Sequence, residues 1–230
     1  MEATEVRKLT LLEDRHWWYR ERRHLLARSV SGLIPGTALD IGAAGGGNTR
    51  VLRELSWQAV ALEYGDEGAQ VCAMRGIPVV RADATRLPVG PAGLDLVVAF
   101  DVLEHIEDDK AAVRGVFEAL RPGGRFLVAV PADPALWSAH DEAVGHVRRY
   151  TRATLTAAIA KGGLVIEDVW SWNVLLRPVV ALRRKSSTGS DLDDVNPLLN
   201  AGLTAIITAE RYLPVKSLPG VTLFLRARRP

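Results

Sequence analysis

The chain of 230 residues has one cysteine, Cys72, which excludes a disulfide within it and fits a reducing compartment. No uninterrupted apolar run approaches the roughly 18 residues that a membrane-spanning helix needs. The N-terminus is polar and charged, without the pattern of a signal peptide. Charge of one sign is lacking too: the formal net charge is +2, and no Lys/Arg run marks a phosphate-tracking surface. Arg226, Arg228 and Arg229 read as a solvated terminus. These absences lead us to expect a cytoplasmic protein with no membrane span and no nucleic-acid partner. What is there is ordinary for a globular protein, with 48% apolar and 24% charged residues. The length suits one domain with a proper core.

The organising stretch is Leu39-Asp40-Ile41-Gly42-Ala43-Ala44-Gly45-Gly46-Gly47-Asn48-Thr49, where a short apolar strand meets a glycine-rich turn and then a helix. That order builds a small-molecule cradle at the edge of a parallel sheet. Strands are expected at Thr37–Gly42, Gln58–Tyr64, Pro78–Asp83, Leu94–Asp101, Arg125–Pro131, Leu164–Trp170 and Gly220–Arg228. Helices are expected at residues 2–30, Asn48–Leu55, from Asp66 to near Gly76, from Asp108 to Leu120, and from an N-cap at Thr151 to Gly162-Gly163. The alternation predicts an α/β fold, a doubly wound Rossmann-like sheet of seven mostly parallel strands with helical cap insertions. We read residues 1–230 as one domain: an N-terminal helical lid (1–34), a core (35–170 and 220–230) and a helical insertion (171–219). Within the insertion, Val174–Arg184 and Leu198–Tyr212 look helical and flank a loop at Lys185–Ser190. Residues 132–150 make a second long connection.

A dinucleotide fingerprint starting at Gly42 would need glycine at Ala44, and no Lys-Ser/Thr pair completes a P-loop. A smaller ligand fits better. Backbone N–H groups around Gly45–Asn48 suit a carboxylate. Glu63, 21 residues after Gly42 at a strand end, suits two ribose hydroxyls, and Asp83-Ala84 suits an adenine amino group. Amino-acid carboxylate, ribose and adenine in that order describe S-adenosylmethionine.

With Leu39-Asp40-Ile41-Gly42, Glu63, Asp83-Ala84-Thr85-Arg86-Leu87-Pro88, Asp101-Val102-Leu103-Glu104-His105-Ile106 and Leu120-Arg121-Pro122-Gly123-Gly124 in sequence, the chain resembles the class I S-adenosylmethionine-dependent methyltransferases, in particular the small-molecule type-11/type-23 group. The resemblance is firm over about residues 35–131 and looser to 165. It departs from the family at Ala44, where glycine is usual. It implies S-adenosylmethionine as cofactor and S-adenosylhomocysteine as product. The cofactor contacts it implies are Asp40, Gly42, Ala44, Gly46, Glu63, Tyr64, Asp83, Ala84, Asp101 and Val102, with Asp101 beside the methionine portion. The expected function is methyl transfer to an O, N or C atom of a small molecule, a natural product or other secondary metabolite. The alternative is a cofactor-binding protein that does not methylate, a cyclase or regulatory module on the same fold.

Methyl transfer from a sulfonium is an in-line displacement, so holding the nucleophile behind the methyl is a large part of catalysis. A hydroxyl or ammonium acceptor also needs a base. His105, His140 and His146 are the candidates, with Asp141 as orienting partner. The Glu104 carboxylate beside His105 reads equally well as a local cap. Two histidines and a carboxylate at 140, 141 and 146 have the donors for a divalent ion, but their irregular spacing argues against one, and no metal is expected. Trp17, Trp18, Tyr19, Trp137, Arg148, Tyr150 and Trp172 are candidates for the acceptor wall, the rings offering flat apolar or cation-stabilising faces. Core packing competes for the same rings and is the preferred reading for Trp57 and Trp170. The apolar stripe through Leu198, Gly202, Ala205/Ile206 and Ala209 reads as core or as a homodimer interface.

Overall fold

The computed structural model describes residues 9–184 and 195–230. Seven strands make one sheet in the order β3-β2-β1-β4-β5-β7-β6. They are β1 (Thr37–Ile41), β2 (Gln58–Glu63), β3 (Val79–Arg81), β4 (Leu94–Phe100), β5 (Leu120–Pro131), β6 (Val165–Trp172) and β7 (Thr222–Arg228). Neighbours pair in parallel except β7, which runs antiparallel to both β5 and β6. The expected α/β doubly wound, mostly parallel sheet is thus the one observed.

The reason lies in β4, whose Leu-Asp-Leu-Val-Val-Ala-Phe run is apolar on both faces, as a strand covered by helices on each side must be. Side chains alternate across it. Val97 and Ala99 join Leu39, Phe126 and Val128 under α4 (Asp109–Ala119) and α6 (Arg152–Lys161), contributing Val113, Val116, Leu155 and Ile159. Leu96 and Val98 face the other way, onto Leu26 and Val30 of α1 (Trp17–Val30), Leu52 of α2 (Gly47–Glu54), and Trp172 and Ile207. α3 (Asp66–Met74) covers β2 and β3.

Several boundaries differ from the sequence expectation. The N-terminal helix is not continuous. Residues 9–12 are helical, the chain turns at 13–16, and the His16 side chain accepts from the Trp18 N–H (3.2 Å) to cap α1. Asp66 does not cap α3. Gly65 holds that position, while the Asp66 carboxylate accepts from Gln70 (2.6 Å) and Arg81 (2.9 Å). Pro122-Gly123-Gly124 does not separate α4 from β5, because Leu120 already pairs with Leu94 and the register shifts past the turn to Leu96–Arg125. β6 runs on to Trp172, so Ser171 and Trp172 belong to the sheet rather than to the insertion.

The insertion carries α7 (Arg177–Arg184) and α8 (Pro197–Glu210), and residues 132–150 contain a short helix, α5 (Ala139–Ala143). The stretch Lys185–Ser190 and residues 1–8 of the expected first helix lie outside the described residues. α8 is anchored to the N-terminal segment: Asn200 accepts from the Trp17 N–H (2.9 Å), its amide donates to the Arg15 carbonyl (3.1 Å), and Arg211 pairs with Glu21. No helix of the described residues is long and apolar enough to cross a membrane.

Candidate active site

The strand order reverses between β1 and β4, and a ligand crevice forms at such a point, outside the carboxyl ends of the strands. Asp83, Glu63-Tyr64, Gly42–Gly46 and Asp101-Val102 follow the ends of β3, β2, β1 and β4, four neighbours in space. In the glycine turn φ is positive at Gly42 (67°), Ala44 (50°) and Gly46 (79°) and not at the residues between. The N–H groups of these three residues are taken by the Leu62 carbonyl, the Glu63 carboxylate and the Ala43 carbonyl, which fix the turn and leave the first-turn N–H groups of α2 as the donors for an anion. Gly42 is also a close-approach position, since a Cβ there would meet Val102 Cγ2 at 2.6 Å.

The carboxylates of this edge do different things. Asp40 is fully buried and accepts from Thr49 Oγ1 (2.6 Å), tying β1 to α2 beneath the turn. Burial, with a smaller push from Glu63, raises its pKa to about 7 against the opposing Thr49 hydrogen bond. Glu63 accepts from the Ala44 N–H, which ties the end of β2 to the turn. Burial raises the Glu63 pKa to about 7 as well, opposed by that hydrogen bond. Asp83 is exposed, and its Oδ1 accepts from both the backbone (2.8 Å) and the hydroxyl (2.7 Å) of Thr85, which together hold its pKa below the usual range. Tyr64 is exposed and Ala84 half-buried beside the core. Asp101 sits in a left-handed conformation (φ 57°) and its carboxylate pairs with Arg22 at 2.7 Å.

Arg22 is a residue that the sequence did not mark. Only 4% exposed, its guanidinium lies within 5.2–5.7 Å of the ring centres of Phe100, Trp18 and Phe224. A Trp four residues before an Arg on a helix is the one signal that pointed to it. Glu13 is the second: it is 3% exposed and paired with Arg75, whose guanidinium also donates to the Gly45 carbonyl (2.7 Å). The N-terminal segment is thereby fastened to the glycine turn.

Beyond β4, the histidines gather. His105, His140 and His146 converge, with ring centres 4.7 Å apart for the first and third and 6.3 Å for the second and third. His146 Nδ1 lies 2.8 Å from Asp141 Oδ1. Asp141 is wholly buried and also accepts from Arg149 through both oxygens (2.8 and 3.0 Å) and from Arg184 (3.1 Å). Burial works to raise the Asp141 pKa, but the His146 and Arg149 hydrogen bonds and the two arginine charges outweigh it and hold the carboxylate well below its usual range. Burial, and next the neighbouring His146, shift the His105 pKa down, against the hydrogen bond to the Gly145 carbonyl. Glu104 is not a cap: it is buried, and neither carboxylate oxygen has a hydrogen-bond partner.

Of the expected acceptor wall, Trp17, Trp18 and Trp172 form one aromatic group, with centres 4.5 Å apart for Trp18–Trp172 and 5.5 Å for Trp17–Trp18. Trp172 is core, joined to the sheet, and Tyr19 is half-buried on the same helix. Trp137 stands apart from that group, on the 132–150 connection. Tyr150 is packed in the core with its hydroxyl donating to Asp109 (2.8 Å), so it supports the wall from behind rather than lining it. Arg148 is committed to Asp109 (3.0 Å) and to the Glu107 carbonyl (2.9 Å).

Residues 39–128 match the family model described as a methyltransferase domain. A probable S-adenosylmethionine-dependent methyltransferase of Mycolicibacterium smegmatis is 28% identical over 171 residues, 72% of this chain and 66% of the relative, so the match spans just under two thirds of that protein. Among solved structures, a putative methyltransferase in complex with the Haloferax volcanii Trm112 activator superposes with a TM-score of 0.69 at 21% identity, covering 99% of this chain and 96% of that one. A Haemonchus contortus phosphoethanolamine N-methyltransferase in complex with S-adenosyl-L-methionine superposes with a TM-score of 0.65 at 18% identity, covering 91% of this chain and 52% of that one. The match to the methyltransferase-domain model and the likeness to S-adenosylmethionine-dependent relatives support reading the chain as a methyltransferase of class I. S-Adenosylmethionine is the cofactor of that class, and the crevice between β1 and β4 is where this fold receives it.

Proposed function

We propose that this chain transfers the methyl group of S-adenosylmethionine to an O, N or C atom of a small molecule, a natural product or other secondary metabolite. One observation carries the reading: the turn after β1, with φ alternating in sign from Gly42 to Gly46, stands directly beside a buried carboxylate, Glu63, at the end of the next strand. In this reading the N–H groups around Gly45–Asn48, at the start of α2, face the methionine carboxylate, and the turn from Gly42 to Gly46 shapes the approach to them. Glu63 takes the ribose hydroxyls, Tyr64 and Asp83-Ala84 border the adenine, and Asp101-Val102 border the methionine portion. Asp40 acts on the cofactor indirectly, by fixing α2 against β1.

The acceptor lies between the aromatic N-terminus (Trp17, Trp18, Tyr19) and the 132–150 connection (Trp137, Arg148), with Tyr150 and Trp172 supporting it from the core. The acceptor's proton leaves through the His105, His140 and His146 cluster, in which Asp141 fixes the ring of His146. The exposed Leu198, Leu199 and Ile206 of α8 support a homodimer through the 171–219 insertion, a molar mass that light scattering reads directly.

The test is turnover of S-adenosylmethionine to S-adenosylhomocysteine across a panel of hydroxyl, amine and activated-carbon acceptors. Methylated product from at least one acceptor is expected. Tight cofactor binding with no turnover on any acceptor would favour a non-methylating protein on the same fold.

A further inference from the structure

Glu104 holds a wholly buried carboxylate with no hydrogen-bond partner at either oxygen, an arrangement that is costly unless something charged completes it. His146 stands next to it, and the charges of Asp101, Arg22 and Arg149 are close enough to act on it as well. Glu104 Oε1 lies 3.9 Å from His146 Nε2, too far for a hydrogen bond. One ring nitrogen of His105, one of His146 and one Glu104 oxygen all lie within 4.8 Å of one another.

The other nitrogen of each ring is engaged elsewhere. His146 Nδ1 is held by the Asp141 carboxylate (2.8 Å), and His105 Nδ1 by the Gly145 carbonyl (3.2 Å). A metal-binding histidine characteristically donates its second N–H to a carboxylate or a backbone carbonyl, which fixes the tautomer and aims the lone pair. Here both rings have that support, so Nε2 is the nitrogen each has left to offer.

We propose that Glu104, His105 and His146 form a binding site for a divalent transition-metal ion of the zinc type. Two imidazoles and one carboxylate suit such ions and not magnesium or calcium, which prefer all-oxygen sites. Ligands about 2.0–2.2 Å from a tetrahedral ion stand about 3.4 Å apart, so the cluster closes by roughly 1 Å on binding. Three protein ligands leave a coordination position open. The spacing at 140, 141 and 146 concealed this set, because Asp141 supports a ligand and His140 is replaced by two residues from the turn after β4.

The ion's role rests on the methyl-transfer reading, although its binding does not. Held by Glu104, His105 and His146, the ion would lower the pKa of an acceptor hydroxyl at the open position and so ease the loss of its proton. The O–CH3 bond then forms as the S–CH3 bond breaks, and the sulfur keeps the electron pair as S-adenosylhomocysteine leaves. With the ion bound, His105 and His146 would act as its ligands, and His140, beside His146, would be the imidazole of the cluster through which the proton leaves.

The full chain, stripped with a chelator, is titrated with Co2+ while its visible d–d absorption is followed, and Zn2+ is then added to displace it. One equivalent per chain is expected, with the absorption lost on Zn2+ addition. Glu104→Gln and His146→Asn should each weaken Co2+ binding at least tenfold, whereas His24→Asn, on α1, should leave it unchanged. Zn2+ should also raise the melting temperature of the unsubstituted chain, a readout that does not depend on the variants folding. No saturable Co2+ uptake with no thermal shift, or equal affinity in both ligand variants, overturns the site. S-Adenosylmethionine turnover that persists without metal uptake removes the site and leaves the methyltransferase reading standing. Metal uptake without methyl transfer to any acceptor keeps the site and removes the proposed role in catalysis.

Discussion

Ala44 turns with φ at 50°, a conformation that costs an L-residue about 1–2 kcal/mol and glycine almost nothing. The departure from glycine is plain in the sequence, but the strain is not, because it depends on the Ala44 N–H having to reach Glu63. Ala44→Gly should therefore raise stability by about 1 kcal/mol in urea denaturation, and a loss of stability would contradict a strained turn. Glu63→Ala should weaken S-adenosylmethionine binding by about 1–3 kcal/mol in calorimetry, through lost charged hydrogen bonds. Its pH dependence has a definite sign. With its pKa at about 7, Glu63 is increasingly protonated below neutrality and loses acceptor capacity for the ribose hydroxyls, so affinity should fall as pH drops through about 7. Flat affinity across that interval would count against the ribose assignment.

At the level of elements, the connection from β5 to α6 is held by one carboxylate. Asp141 joins His146, Arg149 and Arg184, and Arg149, whose side chain is fully buried, would keep an unmatched charge without it. Asp141→Asn should cost about 3–5 kcal/mol and appear as a lower urea midpoint with little change in slope. The strands and most helices were legible because both faces of β4 and one stripe of each helix are written in apolar spacing. The cap at Thr151 was legible from its local pattern, whereas the one at Asp108 was seen only in the structure. What local spacing cannot show is which residues meet across the fold. Arg22 looked like any charge on an amphipathic helix until it lay among Phe100, Trp18 and Phe224, and Glu104 looked like a capping residue until both oxygens proved unpartnered. Tyr150 sat in a stretch expected at the acceptor wall, yet its hydroxyl bonds to Asp109 in the core.

Taken whole, the molecule carries buried carboxylates whose preferences oppose one another. Asp40 and Glu63 titrate at about 7 in the folded chain, against 3.8 and 4.5 for their ordinary values. Raised carboxylates add stability that is complete below the unfolded values and lost as pH rises through about 7. Asp141 has the opposite sign: its stabilisation holds above the ordinary carboxylate value and is lost as pH falls below it. The ligand-free protein should therefore be most stable on the acid side of neutrality, with a higher urea midpoint near pH 5 than near pH 8, a roughly placed window set by these shifts. Equal midpoints would contradict the burial of Asp40 and Glu63. The edge beside these carboxylates is the proposed cofactor site, where four strand ends bring Asp83, Glu63, Gly42–Gly46 and Asp101 together. Calorimetric titration of S-adenosylmethionine into the chain and into Glu63→Ala tests that most directly. The account predicts saturable binding at one site that weakens markedly in the variant, and no binding, or equal binding by both chains, would contradict it.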